Sequence, residues 1–579
     1  MFSLSRKTTF IILAGIMVLA FLLRFHNIGK HGLAGDEKYS LFVSQFVSYE
    51  GNNQRNSVRK PDSPYFTPRE FWSEKSIHDF FDSIARIDTG NGALYTYSLH
   101  YWTQLVGLQD ADLRFMSLIF NLLTVFLTYV FVNRHFKSSN LALLASFLAA
   151  VSPFNITYSQ VARNYALLFF FSLLATHLFL IILEKEKNNK SSLAFYLYYG
   201  LSALACELCH ISAFPLFLIH GLYVIIYVRK LRVWVGLALA MLIPAMGVVV
   251  WLKSDGGRWL IEYVENSVKS YNIMARTAPD DYLSVATLPN IFKQLRFVVS
   301  SAFITSEGLY IHLSGLKNTI IALVSVLAGV SCFRWLPSDK LKVAGICGLL
   351  VLDFFLYSTA RLHFMVLTLN IALLVILLST LLKKSKAANH PLLVFLSMLT
   401  LLPFVFLILF SIQDGNTFRI MPRYIGYMYA FGIVLTALLI RQMLLLESSV
   451  KYALVLLLGV QLVLVCGIVV NIWEDKAPRY FMHFAEPRKE NPYKLAADKI
   501  VNLYAKGDTV IYCSFLDNST PGGKDLPPFS VVDAQLTNFY LPKNSDIIQR
   551  VNPEEQNRIF IKKSDGREIL ITDLKKSRY

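Results

Sequence analysis

With 54% hydrophobic residues and only 16% charged over 579 positions, the chain is too apolar for an ordinary water-soluble protein, in which about 25% of residues carry charge. A formal net charge of +17 would suit a nucleic-acid binder, but the basic residues fall in short clusters between apolar stretches, which excludes that partner and suits contact with anionic lipid headgroups. Six scattered cysteines offer no disulfide framework.

The N-terminus, Met1 to Lys7, is short and basic and precedes an apolar run from Thr8 to Leu23. A secretory signal would end at a small-residue cleavage site; Arg24-Phe25-His26 follows instead, so the run is expected to be a first transmembrane helix. Further spans are predicted at 113–132, 141–157, 165–183, 193–209, 211–228, 233–252, 318–334, 343–358, 364–382, 392–411, 424–440 and 452–472, thirteen in all. Each is long enough, or nearly so, to cross about 30 Å of hydrocarbon. Alternate loops carry Arg6/Lys7, Arg134/Lys137, Lys185/Lys187/Lys190, Arg229/Lys230/Arg232, Arg334/Lys340/Lys342, Lys383/Lys384/Lys386 and Arg441/Lys451. The positive-inside rule makes that set cytoplasmic, with the N-terminus inside and the C-terminus outside.

The other side carries long loops at about 26–112 and 253–317 and shorter ones around Ser152–Asn164 and Gln413–Arg423. Aromatic-rich amphipathic stretches at 71–87 and 94–105 suit helices lying in the membrane interface. Cys206, Cys209 and His210 spell C-x-x-C-H, a haem-attachment pattern that here ends an apolar segment, where packing cysteines are the simpler reading. From about Trp473 the composition turns soluble. A helix from Pro492 to Tyr504, a strand at 509–513 and a hairpin of 558–562 with 568–572 predict a small α/β domain. The expected architecture is an all-α polytopic membrane domain, 1–472, followed by a soluble α/β domain, 473–579, with a structural or acceptor-handling role.

Gly35-Asp36-Glu37-Lys38 follows the first predicted helix on the outer side. Adjacent carboxylates near a membrane are costly unless solvated, paired or functional, so the pair is either a solvated charge cluster or a general base at a cavity mouth. Arg163 stands at the start of an apolar helix, where it either grips a phosphate or anchors at the interface. Arg419, Arg423 and Tyr424 pose the same choice in the last outer loop, as do Arg361 and His363 between the ninth and tenth helices. Outer loops are generally poor in arginine, and these arginines at outer helix ends point to an anionic ligand.

Three stretches are similar to a known family. They are Leu33-Ala34-Gly35-Asp36-Glu37 with Tyr39-Ser40; Arg86-Ile87-Asp88 through Leu94-Tyr95, His100-Tyr101-Trp102, Gly107 and Arg114-Phe115-Met116-Ser117; and Ser152-Pro153 through Tyr158-Ser159-Gln160 and Ala162-Arg163-Asn164-Tyr165. Together they resemble the GT-C superfamily of membrane glycosyltransferases, and more narrowly glycosyltransferase family 39, with its protein O-mannosyltransferases and aminoarabinose transferases. Where that family usually has His-Pro-Pro-Leu-Tyr, this chain has Gly90-Asn91-Gly92-Ala93-Leu94-Tyr95.

The resemblance implies a GT-C-like fold and a polyprenyl-phosphate-linked monosaccharide as donor, with a glycan, lipid or protein as acceptor. It implies a single displacement with inversion, in which Asp36 is the base and Glu37 positions the acceptor or shares the charge. Asp88 joins them as a catalytic candidate, and Arg163, Arg423 and Tyr165 form the set for the donor phosphate. No cofactor is expected, and no cluster has metal-ligand spacing; Asp36, Glu37 and Asp88 are the set that would hold a divalent cation. The modest length, without a large loop domain, leans towards a bacterial inner membrane. The rival is a transporter or flippase of lipid-linked glycans, for which Glu207, His210, Asp353 and His177 are the few mid-helix ionisable candidates. A noncatalytic scaffold has no need of Asp36 and Glu37.

Overall fold

The computed structural model describes residues 4–33, 35–49, 63–85, 92–280, 283–309, 316–356, 361–382, 390–446, 450–476, 490–513, 529–552 and 556–574. Lipid cannot hydrogen-bond a backbone, so segments this apolar must close their own N–H and C=O groups as helices. The membrane part runs α1 (Arg6–Phe25), α2 (Gly35–Ser44), α3 (Pro68–Phe71), α4 (Ile77–Ile84), α5 (Ala93–Val106), α6 (Asp110–Phe136), α7 (Ser139–Val151), α8 (Pro153–Ser159), α9 (Tyr165–Lys187), α10 (Leu193–Cys209), α11 (Phe214–Tyr227), α12 (Leu231–Lys253), α13 (Asp255–Thr277), α14 (Leu288–Ala302), α15 (Leu316–Trp335), α16 (Asp339–Leu356), α17 (Arg361–Leu382), α18 (His390–Asp414), α19 (Tyr429–Leu444) and α20 (Val450–Trp473).

Among the described residues seven helices are long and apolar enough to cross a membrane, or eight if the bent pair α7–α8 counts as one. The chain is an integral, multi-pass membrane protein. Helices occupy the other predicted segments too, with three differences that matter. The span expected at 141–157 breaks between α7 and α8, which are bent by 58°. Pro153 lacks the N–H that would continue the helix, and Ser152 caps the new start by accepting from Asn155 N–H. The carbonyls freed at the break are taken by Arg24, which is fully buried and donates to Ala149 O at 3.1 Å and Ala150 O at 2.8 Å. Its Nε reaches Asn121 Oδ1 at 2.7 Å, tying α1, α6 and α7 together.

Second, the span expected at 424–440 opens with a 3-10 turn, Pro422–Met428, before α19. Third, the long loop after α12, expected as a polar interruption, holds the amphipathic helices α13 and α14.

The C-terminal part contains α21 (Pro492–Leu503), α22 (Phe529–Asn538) and a five-stranded sheet. Its strands are β1 (Tyr65–Phe66), β2 (Thr509–Cys513), β3 (Gln549–Asn552), β4 (Arg558–Lys562) and β5 (Glu568–Asp573), in the order β1-β3-β2-β4-β5. Strands β2 and β3 are parallel and α22 connects them; the other pairings are antiparallel. Strand β1 comes from the first long loop, so this layer is not made of residues 473–579 alone.

Further bonds bind loop and domain. Trp72 Nε1 donates to Asn538 O at 3.0 Å, Gln535 Nε2 to Ser48 O at 2.9 Å, and Arg69 to Asp546 Oδ2 at 3.1 Å. Phe539 packs edge-on against Phe42 and Phe71. At the head of α6, Asp110 accepts from Asn491 Nδ2 at 3.0 Å and from the Tyr540 hydroxyl at 3.1 Å. The C-terminal layer is thus latched to the segment that carries Asp36.

Candidate active site

Three backbone segments meet at this end of the bundle, and one buried ion pair sets two of them. Arg114 lies one turn into α6 at 2% exposure, and Glu37, at the start of α2, is fully buried. Arg114 Nε and Nη2 donate to Glu37 Oε1 at 2.8 Å and Oε2 at 2.9 Å. The remaining donors take the carbonyls of Ile28, His31 and Gly32 at 2.7–2.8 Å, which shapes the loop leading to α2. Glu37 Oε1 also accepts from Ala162 N–H at 2.8 Å, so the same carboxylate fixes the second segment, residues 160–164. That segment is held from outside by Gln160, which donates to Arg24 O and His26 O, and by Asn164, which donates to Cys209 O.

This framework places Arg163 beside Asp36. Arg163 Nη1 donates to the Asp36 carbonyl at 3.2 Å. The third segment is the turn Pro422–Met428, whose Arg423 donates from Nη1 to Asp36 Oδ2 at 3.2 Å and lies over the Tyr424 ring. The turn sits close to α9, since a Cβ on Gly426 would overlap the Phe169 ring. The Asp36 side chain is 41% exposed, so of the two neighbouring carboxylates only Asp36 is open to a ligand.

Asp36, Arg163, Tyr165 and Arg423 line a cavity of about 1180 Å³. Much of the remaining wall is apolar, built from side chains such as Met241 and Val248 of α12, Val264 of α13, and Phe406 and Phe410 of α18, with Glu207, Ser212 and Glu265 among them. The cavity thus combines a charged cluster with a largely apolar wall. Arg419 lines it too, paired with Asp414 at 2.7 Å.

The sequence-predicted residues Asp36, Arg163, Tyr165 and Arg423 converge here. Glu37 stands behind them, fully buried, with both oxygens engaged by Arg114 and Ala162, although it too borders the cavity. Asp88 lies outside the described residues, as do the side chains of Arg361, His363 and Asp353. Among the described residues no three His, Cys, Asp or Glu side chains come together as a metal set. Cys206 and Cys209 are buried, with Cys206 Sγ 3.8 Å from Ser172 Oγ of α9. Of the other rival residues, His177 pairs with His135 at 3.0 Å, halfway along α9, while Glu207 and His210 line this same cavity. Sequence reading missed Arg114 as an organiser. Its signal was an ionisable residue inside an apolar helix.

Comparison with known proteins agrees with the motifs. Residues 92–251 match the family model for dolichyl-phosphate-mannose-protein mannosyltransferases. This is the glycosyltransferase family that the stretches between Leu33 and Tyr165 resemble. No curated protein matches the chain in sequence. Among solved structures, the oligosaccharyltransferase AglB of Archaeoglobus fulgidus, in complex with an inhibitory peptide and a dolichol-phosphate, is similar at 12% identity and TM-score 0.43. The match covers 92% of this chain and 60% of that one, so the chain spans about three fifths of the archaeal protein. ArnT of Cupriavidus metallidurans bound to undecaprenyl phosphate is similar at 12% identity and TM-score 0.34, covering 93% of this chain and 85% of that one.

Proposed function

We propose that this chain is a membrane glycosyltransferase that moves a monosaccharide from a polyprenyl-phosphate donor to an acceptor hydroxyl. The observation that carries the reading is the lining of the cavity, a largely apolar channel that also holds two arginines and an accessible carboxylate. A polyprenyl chain matches the channel, its phosphate matches Arg163 and Arg423, and the sugar lies between them and Asp36. The family match over residues 92–251 supports the same chemistry.

In the proposed step the acceptor oxygen attacks the anomeric carbon while the bond from that carbon to the phosphate oxygen breaks. Asp36 takes the acceptor proton, and the anomeric centre inverts. Arg163 and Arg423 neutralise the phosphate as it leaves; electrostatic stabilisation of this kind contributes about 3–4 kcal/mol per donor. Arg423 also touches the Asp36 carboxylate, so it ties base and leaving group in one array. Tyr165 closes the wall beside the arginines. Glu37 and Arg114 are positioning residues, acting through the loops that present Asp36 and Arg163. The site faces outside the cytoplasm in this reading, with the N-terminus inside, as the basic loops require.

The transporter reading needs ionisable groups along a path. Glu207 and His210 instead share the cavity with Asp36, which favours a substrate pocket. The test is release of polyprenyl phosphate from a panel of polyprenyl-phosphate sugars by purified protein, with a membrane extract as acceptor source. Turnover by the parent and loss of at least about a hundredfold in Asp36→Asn support the assignment. Equal turnover by both proteins removes Asp36 as the base.

A further inference from the structure

A second polar cluster in the cavity is not used by the step above. It comprises Glu207 on the last turn of α10, Ser212 in the 3-10 turn Ile211–Ala213 that follows, and Tyr427 in the turn that carries Arg423. All three line the cavity. The Tyr427 hydroxyl and Ser212 Oγ are buried, yet neither has a hydrogen-bond partner among the described residues. Tyr427 as a whole is only 1% exposed. Glu207 is half-buried and makes no ion pair or hydrogen bond among the described residues. His210 lies between the two groups of residues, near the rings of Tyr165 and Tyr424. Its Nδ1 accepts from Ser212 N–H at 3.1 Å, which leaves the proton of the neutral ring on Nε2.

Buried polar groups are almost always satisfied, and leaving one unsatisfied costs about 1–3 kcal/mol, more for a charged group. Two such hydroxyls beside a half-buried carboxylate, all on one cavity, mark a place where a ligand completes the bonding. The donor has three parts, and only one of them matches. Hydrocarbon offers no hydrogen bonds, and a phosphate offers only acceptors that a carboxylate repels. A sugar ring offers several groups that donate as well as accept, which is what one carboxylate and two hydroxyls require.

We infer that Glu207, Ser212 and Tyr427 form the subsite that reads the donor's sugar through its hydrogen-bond-donating substituents, hydroxyl or amino. The inference rests on the proposed lipid-linked donor. It assigns the arginines to the phosphate and this cluster to sugar selection.

The test is equilibrium binding to the purified full-length protein in nanodiscs. The probes are bare polyprenyl phosphate, a polyprenyl-phospho-hexose and a polyprenyl-phospho-aminosugar, offered to the parent, Glu207→Gln and Tyr427→Phe. Retained binding of bare polyprenyl phosphate is the control for folding. The parent is expected to bind at least one sugar-bearing lipid about tenfold or more tightly than the bare lipid, the scale of one or two hydrogen bonds to a charged or buried group. Both variants should lose most of that difference. An advantage confined to the aminosugar and abolished in Glu207→Gln identifies an ammonium at Glu207, whereas similar gains for both sugars identify hydroxyls. The inference is overturned if sugar adds nothing in the parent, if the variants keep the difference, or if they weaken the bare lipid equally. Failure of bare polyprenyl phosphate to bind the parent would instead overturn the lipid-linked donor, and this subsite with it.

Discussion

Replacing Glu37 by Gln keeps the shape of the side chain and removes its charge, and the structure allows the consequence to be worked through. Arg114 makes two bonds to Glu37 and three to the carbonyls of Ile28, His31 and Gly32. Both partners are buried, so the guanidinium is left charged in a dry site. The Gln amide must also turn its NH₂ towards either the Arg114 or the Ala162 N–H donors, donor against donor. Removing one partner of a buried pair costs about 3–5 kcal/mol. The measurement is thermal unfolding of the purified protein in detergent alongside polyprenyl-phosphate release. Glu37→Gln should lower the unfolding midpoint by several degrees and reduce turnover by displacing Asp36 and Arg163. The double variant Glu37→Gln with Arg114→Met removes the orphaned charge but strands the carbonyls of Ile28, His31 and Gly32, so it should recover only part of the stability. It should not recover turnover, since the three carbonyl bonds that shape the loop are gone. An unchanged midpoint and unchanged turnover in Glu37→Gln would refute the anchoring role. An unchanged midpoint with turnover lost and its pH profile shifted would make Glu37 a participant in the chemistry.

Other outcomes follow from single contacts. Arg24→Leu strands the Ala150 carbonyl at the bent pair and Asn121 Oδ1 of α6, and should destabilise the protein by about 2 kcal/mol or more, read as loss of monodisperse protein in detergent. Gly426→Ala forces the turn away from the Phe169 ring; folding should survive while donor turnover falls, because Arg423 moves with the turn. Asp110→Ala cuts the bonds from Asn491 and Tyr540 and should speed limited proteolysis near residue 490 without changing the helical content. In the C-terminal sheet, the Lys563 ammonium holds the Asp508 carboxyl below its usual range, helped by the Ala505 and Ser564 N–H groups. A depressed carboxylate stabilises the folded state above its unfolded pKa of about 3.9 and loses that contribution as the pH falls through the folded value. Hydrogen-exchange protection in β2 and β4, taken relative to the intrinsic rate at each pH, should therefore fall below about pH 4 in the parent, and Asp508→Asn should flatten that dependence.

What was legible in the sequence was whatever depended on local pattern. Apolar runs bounded by basic clusters give the helices, because only a helix satisfies its own backbone in lipid. The hairpin about Ser564-Asp565-Gly566 is equally local, with Gly566 at a positive φ of 87°. The convergence of Asp36, Arg163 and Arg423 came from residue type, arginines at outer helix ends, together with the family motifs. What escaped was non-local. Strand β1 has two residues and no sequence signature apart from its partner β3. The amphipathic helix α13 is too polar to be read as a span, and its role as a wall of the cavity needs α12 and α18 in place. Glu37 reads as the twin of Asp36, yet a single rotation of position along α2 sends one carboxylate into the cavity and the other into Arg114.

The sheet that takes in Tyr65 and Phe66 has a consequence for biosynthesis. Its closest ties to the first loop join residues 466 to 487 positions apart, so they cannot form until synthesis has passed Asn538. The segment bearing Asp36 must therefore wait, inserted but unclasped, while helix after helix is laid down between it and its clasp. Contacts of such long range are slow to form. A ribosome that stalls after the last membrane helix would leave a bundle with its charged residues in register and its outer loop untethered. On this view the segment from Thr509 to Asp573 acts as a late clasp, closing over the Asp36 segment only in a molecule that has been synthesised through to the sheet.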